Sequence, residues 1–495
     1  MIGALLLAAL APQEPAVATI QVPAHVVVTG TLRSDVDGDG RDDVVLACRN
    51  TETKGRELRL HRRRAEGPPF DNTPSLPPYE LESDVVAFTF ADVTPAPGRE
   101  LVLLTAERAV AVERDADGVA TYRPLFAPRL VWPAADPDFV LPLPDAPCDF
   151  DGDGRCDLLL PQPDGAVLWR AAGAEPFLLT LPRKQSPLAG RQKGPHGNGG
   201  PASLSGDELR LRFRLGDDDG DASNDGPLLR LRATAPPCRC LDLDGDGRLD
   251  LVALRNGSLF AGMQRADGRI ERREWPLPLP EDRLVLFDPS FDVQCADLGG
   301  DGRAELIVTT SARRDDEIEV RIDVFAAGAD GGWGTQSNGR LRVQTLAQPP
   351  QLVDADGDGR LDLVLLTVRT DMLRGLTGDG PQALDAQLAI FRGNGERFVL
   401  PAMLQQALRL PASAEGGNTP FVRVLAGTGG TAGELLAREE NVLQRRPLRR
   451  DGERLQLLPA ATKFVLPKRA RLEPPAAPST EVLVRTEHEL QWVRL

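Results

Sequence analysis

A nine-residue acidic loop that recurs along the chain constrains the fold more than any other feature of the sequence. Recognisable copies start at Asp35, Asp92, Asp149, Asp242, Asp297 and Asp354. The intervals are 57, 57, 93, 55 and 57 residues, so one interval contains an insertion. The strand patterns after residues 426 and 473 place two eroded copies there. A fixed period of this length predicts an array of eight structural repeats.

Each repeat has the same order of patterns around its loop. In the first copy an alternating strand (25–32) leads into the loop (35–43), an apolar strand (44–48) and a further alternating strand (57–63). A period of 50 to 60 residues that holds about four short strands is the size of a propeller blade. We therefore expect an all-β protein, a β-propeller with one Asp-rich loop per intact blade. Eight blades are favoured, and seven are possible if one eroded copy is only decoration.

The loop has a fixed arrangement of acids and glycines. Acids stand at positions 1, 3, 5 and 9, glycines at positions 4 and 6, and arginine at position 7. The four complete copies are Asp35, Asp37, Asp39, Arg41 and Asp43; Asp149, Asp151, Asp153, Arg155 and Asp157; Asp242, Asp244, Asp246, Arg248 and Asp250; and Asp354, Asp356, Asp358, Arg360 and Asp362. Carboxylates at this spacing converge on one point, glycines allow the positive φ of a tight wrap, and position 7 can offer its backbone carbonyl. Hard oxygen ligands in this number favour Ca²⁺ over Mg²⁺.

The distribution of charge supports a metal site over plain acidic turns. Two carboxylates 4 Å apart repel by roughly 4 kcal/mol at an effective dielectric of about 20, and each loop contains several such pairs. Five loops account for the whole net charge of −15, so the rest of the chain is neutral. The acidity therefore indicates ligand sets, and nothing indicates a basic surface for nucleic acid.

The other copies lose the motif to different degrees. The copy at 297–305 keeps Asp297, Asp301, Arg303 and Glu305 but has Gly299 in place of the position 3 acid. We expect the complete loops, with or without this one, to bind about four to five Ca²⁺ per chain. The copy at 92–100 has lost its central glycines and is expected to be empty. The last two retain only Glu434 and Glu481 at position 9 and are interpreted as structural turns.

The residues after the loop separate three families that share its core. EF-hands and dockerins continue into helices, and thrombospondin type 3 repeats are closely packed and rich in cysteine. Here position 9 runs directly into apolar strands, as at 43–46 and 362–366. Together with the segment 391–398, Phe-Arg-Gly-Asn-Gly-Glu-Arg-Phe, this resembles the FG-GAP/VCBS repeats of integrin α-subunits and secreted bacterial proteins. The resemblance implies calcium loops on a propeller and adhesion or recognition of carbohydrate or protein. Integrins differ in usually having seven repeats and a different clustering of calcium sites.

The ends and the long interval of the chain suggest its domain organisation. Residues 1–18 combine an apolar run with Ala16-Val17-Ala18, a pattern typical of a secretion signal. No later stretch reaches the roughly 20 apolar residues of a membrane span. We expect residues 19–495 to form one propeller domain that is secreted, periplasmic or on the cell surface. Residues 19–23 are expected to pair beside the C-terminal strand and close the last blade.

The long interval predicts an insertion at about 182–233 in the third blade. It begins with a Gly- and Pro-rich stretch and continues as a hairpin in which leucines alternate with arginines around an acidic turn at 216–226. Period two places five arginines on one face. This face is interpreted as a solvated outer surface, with a site for anionic ligands as the alternative.

Six cysteines are too few for a disulfide scaffold in a chain of 495 residues. Cys148 and Cys156 bracket one loop and are a plausible pair, whereas Cys238 and Cys240 are interpreted as neighbours on one face of a strand. The absence of paired CxxC spacing argues against zinc.

The sequence favours a binding, adhesion or scaffold module over an enzyme. Its four histidines are scattered, which argues against acid-base or triad chemistry, and no catalytic residue is assigned. A Gly-rich segment at 427–433 follows the repeat register and lacks the βαβ context of a nucleotide site. The alternatives are a propeller-type carbohydrate-active enzyme such as a polysaccharide lyase, and a self-associating envelope protein. The expected partner is an unknown protein or carbohydrate, and the sequence leaves the oligomeric state open.

Overall fold

The computed structural model describes residues 15–95, 98–114, 120–132, 134–173, 175–181, 208–214, 228–234, 238–255, 258–276, 287–314, 317–328, 332–334, 336–346, 348–368, 383–411, 421–427, 429–439, 441–467, 470–473 and 481–494. Within these ranges all regular structure is β-strand, without a helix that could cross a membrane. The chain is an all-β, eight-bladed β-propeller, with eight sheets of four or five strands and one separate hairpin in the described part. The first strand, β1, spans Ala16–Gln21.

The contacts divide the chain into two compact units, and the first comprises Ile20–Glu281 and Ala329–Gly332. Blade 1 consists of β2 (Val26–Ser34), β3 (Asp43–Asn50), β4 (Arg56–His61) and β5 (Tyr79–Leu81). Blade 2 consists of β6 (Val85–Ala91), β7 (Glu100–Thr105), β8 (Ala109–Arg114), β9 (Ala120–Phe126) and β10 (Leu141–Pro142). Blade 3 consists of β11 (Pro147–Cys148), β12 (Asp157–Gln162), β13 (Gly165–Trp169) and β14 (Phe177–Thr180). The separate hairpin consists of β15 (Glu208–Arg214) and β16 (Leu228–Thr234). Blade 4 consists of β17 (Cys238–Leu241), β18 (Asp250–Arg255), β19 (Ser258–Gln264) and β20 (Ile270–Pro276).

The second unit comprises Met1–Thr19, Asp282–Gly328 and Trp333–Leu495. Blade 5 consists of β21 (Phe287–Ala296), β22 (Glu305–Arg314), β23 (Glu317–Phe325) and β24 (Gly339–Val343). Blade 6 consists of β25 (Gln351–Val353), β26 (Asp362–Val368), β27 (Ala383–Phe391) and β28 (Leu404–Pro411). Blade 7 consists of β29 (Val422–Leu425), β30 (Glu434–Glu439), β31 (Val442–Asp451), β32 (Arg454–Leu457) and β33 (Thr462–Val465). Blade 8 consists of β34 (Arg471–Glu473), β35 (Glu481–Arg485), β36 (Glu489–Arg494) and β1.

The second strand of each blade is buried on both faces. In β3 the side chains from Val44 to Cys48 are all buried, which explains why this segment is a continuous apolar run without polar alternation. The cores lie between consecutive sheets of the same unit. For example, Val45 and Leu58 of blade 1 belong to one buried cluster with Phe90 and Leu103 of blade 2. The acidic loops connect the first and second strands of their blades, so this core holds each loop between two fixed strand ends.

The predicted closure of the last blade is confirmed. Strand β1 pairs with β36, the last strand of the described chain, and Ile20 in β1 is buried. The strand begins at Ala16, before the predicted segment 19–23. Ala18 is also buried, so cleavage of a signal peptide directly after this residue would shorten the strand.

The predicted hairpin in the long interval is present as β15 and β16. These strands pair antiparallel, with Arg210 opposite Arg232 and Arg212 opposite Arg230. Residues 182–207 and the predicted acidic turn at 216–226 lie outside the described residues, as do residues 1–14 of the predicted signal. The boundaries of the insertion and of the single domain therefore stay predictions.

Candidate metal centres

The position 1 carboxylate folds each loop around itself. Asp35 Oδ1 accepts hydrogen bonds from the backbone N of Gly38 (2.9 Å) and Asp39 (3.0 Å), and Asp35 Oδ2 accepts one from Gly40 (2.9 Å). Gly38 and Gly40 have φ of 77° and 82°, a region that favours glycine. Asp242, Asp297 and Asp354 accept the equivalent bonds in their loops. The short Asp-Gly pattern is therefore sufficient to specify the turn.

The position 9 carboxylate anchors the loop to the end of the third strand. Asp43 is fully buried, its Oδ2 accepts from Val36 N at 3.0 Å and its Oδ1 accepts from Arg63 N at 2.8 Å. Asp157, Asp250 and Asp362 repeat both bonds in blades 3, 4 and 6. This second contact, from beyond the third strand, cannot be predicted from the loop motif alone.

Burial makes these anchoring carboxyls difficult to ionise. Desolvation, supported by the neighbouring loop acids, raises the pKa of Asp157 and Asp250 to about 6 and that of Asp362 to about 7. The same causes raise the pKa of Asp43 and, in blade 5, of Glu305. A cation bound in the loop would oppose this effect, because it favours the charged form of each nearby acid.

Four groups of three aspartates bring one carboxylate oxygen each within 4.8 Å of one another. They are Asp35, Asp37 and Asp39; Asp149, Asp151 and Asp153; Asp242, Asp244 and Asp246; and Asp354, Asp356 and Asp362. Positions 1, 3 and 5 therefore meet in blades 1, 3 and 4, and positions 1, 3 and 9 meet in blade 6. Asp358, the predicted position 5 ligand in blade 6, is not in its group.

The position 3 acids have oxygen atoms whose bonding is incomplete. Asp151 Oδ1 and Asp244 Oδ1 are buried and receive no hydrogen bond. Buried carboxylate oxygens are normally paired or bound to a metal. The donor set consists of hard oxygens, so the residues present fit a divalent cation that prefers oxygen ligands.

Two sets of arginines near the loops were not predicted as partners of the acids. The side chains of the position 7 residues Arg41, Arg155 and Arg248 form ion pairs with the position 5 aspartates of their own loops. Two arginines just beyond the third strand approach the position 3 aspartates. An Nη atom of Arg265 lies 3.5 Å from Asp244 Oδ2, and an Nη atom of Arg392 lies 3.1 Å from Asp356 Oδ2. These arginines neutralise part of the charge that a metal would neutralise.

The loop at 297–305 keeps the turn without an aspartate triad. Asp297 accepts backbone hydrogen bonds from Gly300 and Gly302, and Glu305 accepts one from Leu298. The side chain of position 3 is missing because Gly299 occupies it. Metal binding by Asp297, Asp301, Arg303 and Glu305 stays a prediction.

In the eroded loops, other groups of the protein donate hydrogen bonds to the position 9 acids. Glu100 accepts from Thr94 Oγ1 at 2.6 Å and from Val93 N at 2.9 Å. Glu434 receives two hydrogen bonds of 2.7 Å from Arg445, and Glu481 receives bonds from Arg494 and Trp492. These contacts are those of structural turns.

A cleft of about 300 Å³ between blades 1 and 2 lies next to the first loop. Its floor is apolar and includes Phe90, and its polar lining includes Asp37, Arg62 and Glu113. Tyr79 also lines the cleft, and its hydroxyl lies 2.7 Å from that of Tyr122, the other tyrosine of the chain. The lining of the cleft therefore combines an acid of an aspartate triad with an arginine and a tyrosine.

Comparison with protein families supports the repeat interpretation. The model for the FG-GAP-like repeat matches residues 242–308, a range that begins at the first aspartate of the blade 4 loop. The chain contains an FG-GAP-like repeat. The matched range covers the last three strands of blade 4 and the first strand of blade 5 and ends within β22, in agreement with the predicted resemblance. No curated protein matches the sequence.

Several solved structures are similar at low identity. A lectin from Agrocybe aegerita that recognises non-reducing terminal N-acetylglucosamine is 15% identical over 89% of this chain and 94% of its own, with a TM-score of 0.34. The rhamnogalacturonan lyase YesW is 13% identical over 48% of each chain, with a TM-score of 0.24. The exotype rhamnogalacturonan lyase YesX is 11% identical over 96% of this chain and 90% of its own, with a TM-score of 0.22. All three scores lie below 0.5, so the function is argued from the residues of this chain.

Proposed function

We propose that this protein is an exported, calcium-stabilised propeller that acts as a binding or scaffold module. The observation that carries the proposal is the recurrence of one aspartate triad between the first and second strands of blades 1, 3, 4 and 6. A catalytic metal site would be needed once, whereas four copies of one loop motif are suited to stabilising a repeated structure.

Calcium is the cation that best matches the donors. The carboxylates of positions 1, 3 and 5 supply oxygen ligands, and the backbone carbonyl of position 7 can add another. The position 9 carboxylate anchors the loop by hydrogen bonds. Ca²⁺ accepts about six to eight oxygens in flexible geometry, while Mg²⁺ requires a near-ideal octahedron. In blade 6 the buried position 9 acid Asp362 replaces the position 5 acid as the third member of the triad.

Counting bound calcium tests the metal assignment directly. Equilibrium dialysis at about 10 mM Ca²⁺ is expected to find about four ions per chain, because Kd values of about 0.1 to 1 mM, as in extracellular modules, leave each complete loop at least about nine-tenths occupied. Asp244→Ala should remove about one ion and leave the others. A matched control is Asp267→Ala, which removes an exposed blade 4 acid outside the triad. Fewer than three ions per chain would contradict the proposal.

The cleft between blades 1 and 2 is the proposed site for a protein or carbohydrate ligand. Tyrosine faces and an apolar floor suit the apolar face of a sugar ring or an aromatic side chain, and Arg62 and Glu113 offer hydrogen bonds. Screening on glycan and matrix-protein arrays, with calcium and with chelator, should find a ligand whose binding is lost in Tyr79→Ala. The control variant Tyr122→Phe removes only a hydroxyl at the exposed side of the pair. Binding that survives Tyr79→Ala would place the ligand elsewhere.

A calcium-dependent lyase is the second candidate, because Asp37, Arg62 and Tyr79 line one cleft. Arginine can neutralise a sugar carboxylate and tyrosine can transfer a proton. Acidic polysaccharides incubated with the protein would then yield unsaturated sugar products detectable by ultraviolet absorbance. If a polysaccharide binds at the cleft and no such product forms, the binding module is favoured.

Export is the part of the proposal that depends on residues 1–18. The apolar run followed by Ala16-Val17-Ala18 supports it. Expression of the full chain in a bacterial host, followed by N-terminal sequencing of the periplasmic fraction, should reveal a processed N-terminus. A full-length chain that remains in the cytoplasm would contradict export and leave the calcium assignment intact.

A further inference from the structure

Two cysteines from consecutive blades approach each other closely in the first unit. Cys148 belongs to β11 and Cys240 to β17, the first strands of blades 3 and 4, and their Sγ atoms are 3.1 Å apart. We propose that Cys148 and Cys240 form a disulfide bond that joins the first strands of blades 3 and 4. At this distance the two sulfur atoms are adjacent but not yet bonded.

The packing of the other cysteines explains why this pair is selected. Cys148, Cys238 and Cys240 all lie against the buried cluster between blades 3 and 4. Cys156, which the sequence suggested as the partner of Cys148, instead packs against the cluster between blades 2 and 3. Its backbone N donates to Asp92 O, which fixes this residue at the other side of blade 3. The two residues that bracket the loop therefore face different blades.

The reaction needs an oxidant that accepts two electrons. Each thiol loses its proton and one electron as the sulfur–sulfur bond forms. A low-molecular-weight disulfide such as oxidised glutathione accepts both electrons and both protons and is released as two thiols. An oxidising extracellular or periplasmic compartment supplies such chemistry, although the pairing itself follows from the positions of the two sulfur atoms.

The position of the pair explains what the bond would stabilise. Strand β11 has two residues and pairs with β12 only through Pro147 and Cys148. The segment between the two cysteines includes the rest of blade 3 and the β15–β16 hairpin, the longest interval between consecutive loops. A bond that closes a long segment restricts the unfolded chain strongly. It would hold the first strands of both blades directly before the loops that start at Asp149 and Asp242.

Oxidation of the folded protein in a glutathione buffer, followed by thiol titration and peptide mapping without reductant, tests the pair. Two of the six thiols should be lost, and the map should contain one peptide pair that joins Cys148 to Cys240. The oxidised form should melt at a higher temperature than the reduced form. The map is obtained on the natural sequence, so this result does not depend on the folding of a variant.

Matched serine variants identify the partners independently. Cys148→Ser and Cys240→Ser should each abolish the linked peptide, while Cys156→Ser should leave it unchanged. Retention of all six thiols after equilibration with oxidised glutathione would overturn the proposal. A linked peptide that joins Cys148 to Cys238 or Cys156 would overturn it equally.

Discussion

The intact loops of blades 1, 3, 4 and 6 and the eroded loops of blades 2, 7 and 8 occupy the same position in their sheets but neutralise their acids differently. In blade 7 Glu434 accepts hydrogen bonds from Nε and Nη2 of Arg445, and in blade 2 Glu100 accepts one from the hydroxyl of Thr94. In blade 4 Asp244 keeps a buried oxygen, Oδ1, without a hydrogen bond.

The difference indicates two ways to neutralise the acids of these loops, which are protein donors in the eroded copies and, as we propose, a bound cation in the intact ones. A single acid at position 9 can be satisfied by protein donors, so an eroded copy retains the strand connection. Three further acids exceed the donors that a nine-residue turn can supply, because its backbone N–H groups are already used by positions 1, 5 and 9. We therefore expect the intact loops to need a bound cation and the eroded loops to fold without one.

Removal of calcium should have the largest effect. At about 1 mM Ca²⁺ and Kd values of about 0.1 to 1 mM, four loops contribute about 2 to 6 kcal/mol to the free energy of unfolding. Chelation should therefore lower the melting temperature by many degrees. Hydrogen exchange should show amide protection falling in β3, β12, β18 and β26, with smaller changes in β7, β30 and β35. An unchanged melting curve would remove the distinction between the two kinds of blade.

Lowering the pH should destabilise blade 1 through His61, which lies outside the acidic loop. His61 is buried, and desolvation, followed by the charge of Arg59, lowers its pKa to about 4. Between pH 6.5 and 4 the unfolded chain binds a proton that the folded chain does not, so stability is full above about pH 6.5 and falls by about 3 kcal/mol as the pH approaches 4. Denaturant titrations should show a flatter acid limb for His61→Gln, with His25→Gln as the control. Equal slopes for the natural chain and His61→Gln would contradict this cause.

Removal of an internal partner should affect an eroded blade whether or not calcium is present. Glu434→Gln loses the charge paired with Arg445 and is expected to cost about 1 to 2 kcal/mol. The matched change in an intact blade, Asp362→Asn, should cost more with calcium than with chelator. Chemical unfolding of both variants, with calcium and with chelator, gives the four changes in the free energy of unfolding. An equal calcium dependence of the two variants would mean that the eroded loop also binds a cation.

The smallest expected effect is a gain in affinity. Arg392 competes for Asp356, so Arg392→Gln should strengthen calcium binding in blade 6 by about fivefold at low salt. Arg360→Gln, at exposed position 7 of the same loop, is the control. Calorimetric titration of both variants measures the difference. Weaker binding in Arg392→Gln would show that this arginine supports the site.

The sequence predicts the architecture well because the repeat gives each strand a fixed place relative to a loop. Strands β3, β12, β18 and β26 all begin at the position 9 aspartate, as the apolar runs indicate. The turn itself follows from Asp35 and its glycines. The closing strand β1 is also predictable from the sequence, because the last repeat lacks one strand and would otherwise have a strand edge without a partner.

The contacts between repeats were less accessible to prediction. Arg265 and Arg392 approach position 3 from beyond the third strand, and nothing in their local pattern distinguishes them from other arginines of an arginine-rich chain. Cys148 Sγ lies 3.1 Å from the Sγ of Cys240 in the next blade, whereas Cys156 packs against the cluster between blades 2 and 3. Such contacts depend on sheet packing, which the period of the motif does not encode.

The pairing of β1 with β36 also sets the order in which the molecule can be completed. During synthesis β1 leaves the ribosome first, and its partner is made only after every other strand. Until then β1 and β35 each keep an unpaired edge, and the closing step joins segments at a very large sequence separation. A chain truncated before Glu489 would present these edges to other chains and should therefore aggregate.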